Sequence, residues 1–248
     1  MKVEVSSQPQ ILIDLQARLA PCRPAPAARP RLPFGVADID SALPLGGLAR
    51  GALHEVMGSP ELADEAAATV FLAGILARTQ GTVFWCLRWR DLFAPALSLA
   101  GLHPDRVVYV EAGSDTNVLI AMEECLRHRG LAAVVGELVK ATTTATKRLQ
   151  LAAEKSLVTA FLFRRAVPRD AVLEGSAAVT RWRVLPAPST PLGVPAIGRP
   201  HWDLRLERVR GGEPHHWTVE ACDAQGRLAL PADLADRPAA QEERRIAV

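Results

Sequence analysis

Six short apolar runs, the first four each followed by a stretch with helical spacing, limit what this chain can fold into more than any other feature. They fall at residues 52–57, 82–87, 106–111, 132–137, 158–164 and 181–185. Several are continuous rather than alternating, VVYV at 107–110 and TAFLF at 159–163 above all, which marks strands covered on both faces. Between them the spacing predicts helices over 61–79, 91–100, 115–129 and 144–156. In the third, Val118, Met122, Cys125 and Leu126 recur on one face, Ser114 is placed to cap the start and Gly130 to end it. Strands alternating with helices predict an α/β domain with a mostly parallel sheet and right-handed crossovers. The length of 248 residues suits one such domain with tails, and the hydrophobic share of 49% against 5% aromatic means that Ala, Leu and Val fill its core.

The two ends read differently. Residues 8–20 have an amphipathic helical pattern, with Ile11, Leu12, Leu15 and Leu19 on one face. Residues 21–33 follow as a linker that Pro21, Pro24, Pro26, Pro30 and Pro33 keep extended. The apolar stripe of Ile11, Leu15 and Leu19 must be covered, either by the body at 34–230 or by a neighbouring subunit or partner. After Pro186 the chain becomes loop. The arms HWDLRLERV and HHWTVEAC around the turn RGGEP then predict an antiparallel hairpin within 201–230. Trp202 and Trp217 lie on its two arms, as a cross-strand packing pair or as a partner surface. Residues 231–248 read as a flexible polar tail.

Composition excludes several classes. The 29 basic and 27 acidic residues leave a net charge of +2, which does not demand nucleic acid. Cys22, Cys86, Cys125 and Cys222 have no metal-site spacing, and Cys86 and Cys125 read as buried thiols of a reducing compartment. His201, His215 and His216 lack carboxylate or thiol companions at ligand spacing, so no metal is expected. The opening MKVEVSSQPQ has no signal-peptide character and no window is apolar enough to span a membrane, so a cytoplasmic location is expected.

The segment from Phe34 to Gly74 carries the strongest motif. Gly35, Ile39, Asp40, Leu43, Gly46, Gly47, Leu48 and Gly51 lead into a strand and then a loop opening at Gly58. This resembles the start of the RecA core, and the resemblance continues in motif order to about residue 185. A working phosphate loop reads G-x-x-x-x-G-K-[ST]: backbone N–H groups wrap the phosphates, the Lys reaches them and the hydroxyl holds Mg²⁺. Here Ala63 stands for the second Gly, Asp64 for the Lys and Glu65 for the hydroxyl residue, and the next lysine along the chain is Lys140. Pro60 lacks an N–H, and Ser59-Pro60 reads as an N-cap followed by Pro in the first helical position. Glu61, Asp64 and Glu65 put carboxylates at the positive end of the helix, where phosphates would otherwise sit. Glu137 ends the strand where a Mg²⁺-binding Asp belongs, and Arg88-Trp89-Arg90 follows Leu87 where a catalytic Glu would be. The expectation is no nucleotide, no cofactor and no catalysis.

With the degenerate loop and the closing pattern of Trp202, Arg205, Arg210, Gly211, Gly212 and Trp217, the chain is identified as a member of the ImuA family, often labelled SulA-like. That resemblance implies a RecA-like core with a mostly parallel sheet flanked by helices and a C-terminal antiparallel hairpin. It implies an accessory role in SOS-induced translesion synthesis and mutagenesis. The implied partners are an inactive Y-family polymerase homologue of the ImuB kind, an error-prone C-family polymerase through that complex, RecA and single-stranded DNA, with self-association through the N-terminal helix. RecA-like folds present two loops to DNA, which here makes Arg164, Arg165 and Arg169 one candidate group and Lys140, Lys147 and Arg148 the other. The alternatives are a cell-division inhibitor, after the SulA label, and an active DNA-dependent ATPase.

Overall fold

The computed structural model describes residues 30–189 and 198–231. The expected helix with Ile11, Leu15 and Leu19, most of the linker and nearly all of the tail lie outside them.

A two-stranded ladder opens the described chain, β1 (Arg31–Leu32) against β2 (Leu48–Ala49), with a short helix α1 (Ala37–Ser41) between them. The alternating body follows: β3 (Leu53–Met57), α2 (Leu62–Ala77), β4 (Val83–Leu87), α3 (Ala94–Leu99), β5 (Val107–Glu111), α4 (Asp115–Cys125), β6 (Ala133–Leu138), α5 (Thr143–Ser156), β7 (Thr159–Arg164) and β8 (Thr180–Ala187). Two further strands, β9 (His201–Val209) and β10 (His215–Glu220), form the hairpin. One eight-stranded sheet collects them in the order β10-β9-β8-β3-β7-β6-β4-β5. From β8 to β5 all neighbours are parallel, and β9 and β10 add antiparallel strands at one edge.

The order explains where a site can form. β3 and β4 follow one another in sequence but are separated in the sheet by β7 and β6. The carboxyl ends of these four strands therefore border one crevice, the usual binding place of an open parallel sheet.

Side chains alternate across the pleat and feed two cores. Phe161 and Phe163 of β7 join Phe71, Trp85, Trp182 and Trp202 beneath α2 and α3. Ala160 and Leu162 join Cys86, Val118, Met122, Val134 and Leu149 beneath α4 and α5. The central β3 buries even its polar residues. His54 shares Nδ1 with the Thr180 hydroxyl at 2.7 Å and Nε2 with the Ala49 carbonyl at 2.8 Å. Burial lowers its pKa to about 4. The neutral ring therefore donates to Ala49 and accepts from Thr180, whose oxygen in turn accepts the Trp182 indole N–H at 2.8 Å. Glu55, on the other face, takes the guanidinium of its lateral neighbour Arg181 at 2.6 Å.

Several expectations need correction. VVYV is not covered on both faces: β5 ends the sheet, and Val108 and Tyr109 remain 42% and 38% exposed. α4 stops at Cys125, before the expected Gly130, although Ser114 caps it by accepting the Asn117 N–H. α3 begins at Ala94 because Pro95 is tolerated only in a first turn. Cys125 is half-buried rather than buried. Trp202 and Trp217 are not a directly opposed pair, since Trp202 faces Val219 and Trp217 faces Leu204. Both turn inward and pack on the core, Trp202 edge-on to Phe71 and the partly buried Trp217 stacked on Trp182.

Gly136 of β6 has no side chain because α4 crosses over it: a Cβ there would lie 2.1 Å from Met122 Sδ and 2.9 Å from Val118 Cγ1. Gly136→Ala is expected to overpack this face and lower stability by about 1–3 kcal/mol, read as a lower urea midpoint at unchanged slope.

Candidate functional site

The loop after β3 is closed by its own chain. The Gly58 N–H donates to the Arg164 carbonyl and the Gly58 carbonyl accepts from the Val167 N–H, both at 3.0 Å. Asp64 and Glu65 direct their N–H groups to the Glu61 carbonyl. A Cβ on Gly58 would meet Glu65 Cα at 3.0 Å, so the start of α2 lies directly against the loop. The helix begins at Leu62 and not, as the sequence predicts, around Pro60. Ser59 still serves that turn: its hydroxyl accepts the Glu61 N–H at 3.1 Å and donates to Asp64 at 2.5 Å.

Both acids at the substituted positions face an arginine. Asp64, buried in the position of the phosphate-binding Lys, receives a two-pronged bond from Arg169, Nε and Nη2 each at 2.8 Å. Burial pushes its pKa up, but the bonds from Arg169 and Ser59 outweigh that and hold the carboxyl below the usual range. Glu65 receives a second fork from Arg165, at 3.2 and 2.8 Å. The same guanidinium binds both oxygens of Asp91, at 2.7 and 2.8 Å, and reaches Glu137 at 3.3 Å. Its plane rests on the Trp89 ring, 5.0 Å from the centroid, and Arg88 lies over that ring at 4.4 Å. Burial opposes the charge on Arg165, and the hydrogen bonds to Asp91 and Glu65 reverse this, so its pKa rises.

Glu137 is the most constrained member. Its side chain is 1% exposed, and Oε1 accepts the Trp85 indole N–H at 2.8 Å. Burial raises its pKa to about 7, against the pull of Trp85 and Arg165. The cluster thus ties the ends of β4, β6 and β7 to the start of α2, across the crevice that a nucleotide would use. Pro60, Pro168 and Pro186 line a hollow of about 560 Å³ beside the Asp64–Arg169 pair.

The candidate residues are redistributed accordingly. Gly58, Ala63, Asp64 and Glu65 are together, as their spacing requires. Arg165 and Arg169 leave the expected basic patch, because carboxylates already hold both guanidinium groups. Arg164 donates to the Val139 carbonyl at 3.3 Å and shares a hollow of about 350 Å³ with the exposed Lys140. Lys147 and Arg148 lie apart on α5, with Arg148 paired to Glu123 of α4. Asp91 and Trp89 are members that sequence reasoning missed; Trp89 is 37% exposed. The signal available was the charge of the loop: three acids in five residues, with no nearby lysine, need arginines from elsewhere. Among the described residues no cluster of His, Cys, Asp or Glu is arranged to hold a metal ion, and no helix is long and apolar enough to cross a membrane.

Sheet order, crevice and loop position define a RecA-like α/β domain whose phosphate loop carries acids in place of its lysine and hydroxyl. The solved structure of the RadB recombinase shares this fold, with a TM-score of 0.55 at 16% identity, covering 81% of this chain and 100% of that one. No family model matches the chain. Protein ImuA from two strains of Caulobacter vibrioides is 37% identical over 233 residues, covering 86% of this chain and 94% of the relative. The chain belongs to the ImuA family.

Two outcomes follow from the cluster. Arg165→Met leaves Glu65 and Glu137 unpaired in a buried site and is expected to cost about 3–5 kcal/mol in urea unfolding. Adding Glu137→Gln recovers part of that loss. Asp91 contributes little to either figure because its side chain is 53% exposed. Folded Glu137 holds its proton up to about pH 7, against 4.5 for the free side chain, so its ionisation weakens the fold as pH rises through that window. Glu137→Gln is therefore expected to gain on the parent protein between those pH values, by up to about 3 kcal/mol, in urea midpoints measured at each pH.

Proposed function

We propose that this protein is a non-catalytic RecA-like accessory factor in SOS-induced, error-prone translesion synthesis. In this reading it binds an inactive Y-family polymerase homologue of the ImuB kind, and through it an error-prone C-family polymerase. RecA and single-stranded DNA are further partners. Membership of the ImuA family supports the SOS mutasome setting.

The observation that carries the non-catalytic part is the Arg165 guanidinium, held among Glu65, Asp91 and Glu137. A triphosphate placed there would have to take arginines from carboxylates fixed in the same chain. It would leave those carboxylates beside its own charge, and the cost of a buried unpaired charge exceeds what a phosphate contact returns. The Gly58 N–H that would greet a phosphate already serves Arg164. Within the DNA reading, contact falls to Lys140 with Arg164, since phosphates need cations that are not already paired.

Calorimetric titration of the purified protein with ATP and Mg²⁺ is expected to give no binding up to millimolar nucleotide. Co-purification with the polymerase homologue is expected to give a stable complex, insensitive to added ATP. Micromolar ATP affinity would overturn the non-catalytic reading. Failure of the two proteins to associate would remove the accessory role.

A further inference from the structure

The opposite end of the sheet holds a second feature that the crevice does not explain. α4 and α5 lie side by side over the same core, and their carboxyl-terminal halves flank a groove of about 420 Å³. Its apolar lining is Leu126, Leu151 and Ala152. Its rim carries Arg127, Arg129, Arg148 and Lys155, against the single carboxylate of Glu123. Arg148 is paired with Glu123 and Arg127 with Glu124, which leaves Arg129 and Lys155 as the uncompensated cations of the groove.

Cations in the last turn of a helix satisfy its negative end, and this accounts for Arg127 and Lys155. Arg148, near the middle of α5, is held by Glu123, but neither contact accounts for Leu151, which stays 65% exposed between the charges. An apolar side chain in a basic frame matches one kind of partner: a segment that offers apolar and acidic groups together. Nucleic acid offers the charge but only base faces and thymine methyls for Leu151, whereas an amphipathic acidic helix offers a full apolar side chain and carboxylates at adjacent turns. Neither Arg129 nor Lys155 has an ion-pair partner among the described residues, so both remain to meet incoming carboxylates.

We propose that the α4–α5 groove is the docking site for an acidic amphipathic helix of a protein partner. One leucine-sized side chain of that helix covers Leu151 and Leu126, and its carboxylates meet Arg129 and Lys155. The proposal rests on the reading that the chain works through partners. It is independent of the nucleotide question, because the groove lies at the far end of the strands from Gly58.

The test is a display selection of random peptides on the full-length protein, followed by anisotropy titration of the enriched peptides. The expected consensus is a leucine or similar residue flanked by Asp and Glu at helical spacing. Leu151→Asp is expected to weaken those peptides by about tenfold or more, as loss of a central apolar contact does. Arg129→Glu with Lys155→Glu is expected to do the same and to flatten the salt dependence, with only a small fall in melting temperature, from the lost helix-end charge at Lys155. Oligothymidine is expected not to compete. The proposal is overturned by a consensus without acids, by equal binding to the variants, or by competition from oligothymidine that the charge reversal abolishes and Leu151→Ala does not. None of these outcomes alters the ATP titration or depends on the polymerase homologue, so the two readings fail separately.

Discussion

Charge that is buried must be answered where it stands. At the carboxyl ends of β3, β4, β6 and β7 this chain places Asp64, Glu65 and Glu137 almost out of water, and it meets them with Arg165 and Arg169 from the segment after β7. The planar fork of an arginine suits this work, since it can bond two carboxylates at once and still stack on Trp89. Everything else about the crevice follows from that compensation. The loop lies close because its backbone groups are already bonded, and the strand ends are tied together because one guanidinium spans them.

The sheet and the loop were readable in the sequence to different depths. The apolar runs located the parallel strands because burial on both faces leaves no room for polar alternation. That rule failed at β5, where position at the sheet edge, and not composition, decides exposure. Asp64 and Glu65 disclosed the altered chemistry because the phosphate-loop pattern fixes which positions matter. Their partners stayed hidden for a geometric reason: Arg165 lies 100 residues from Glu65 and 74 from Asp91. Only the strand order brings them together, and no local pattern encodes it. A basic pair at a strand end looks the same in sequence whether it faces solvent or an acid from another element. The two tryptophans of the hairpin carry the same lesson, because register sets which way they point.

The hairpin also has a structural part. By adding β9 and β10 beside β8 it covers a flank of the parallel sheet and supplies Trp202, Leu204 and Leu206 to the core under α2. The face beneath α2 is thus rich in aromatic residues, while the face beneath α4 and α5 is built mainly of aliphatic residues. The helices over the aliphatic face present the basic groove to solvent. The two ends of the strands therefore differ in kind, one sealed by internal pairs and the other open and charged.

The paired loop also bears on how such a protein can change over generations. Turning Asp64 into lysine would set a cation against Arg169, and turning Glu65 into threonine would strip Arg165, which also serves Glu137, of one of its carboxylates. Each single step back toward a nucleotide-binding loop weakens the fold before any benefit can arrive. Mutual compensation of this sort works as a ratchet: once acids and arginines have settled against each other, the return route is uphill at every first move.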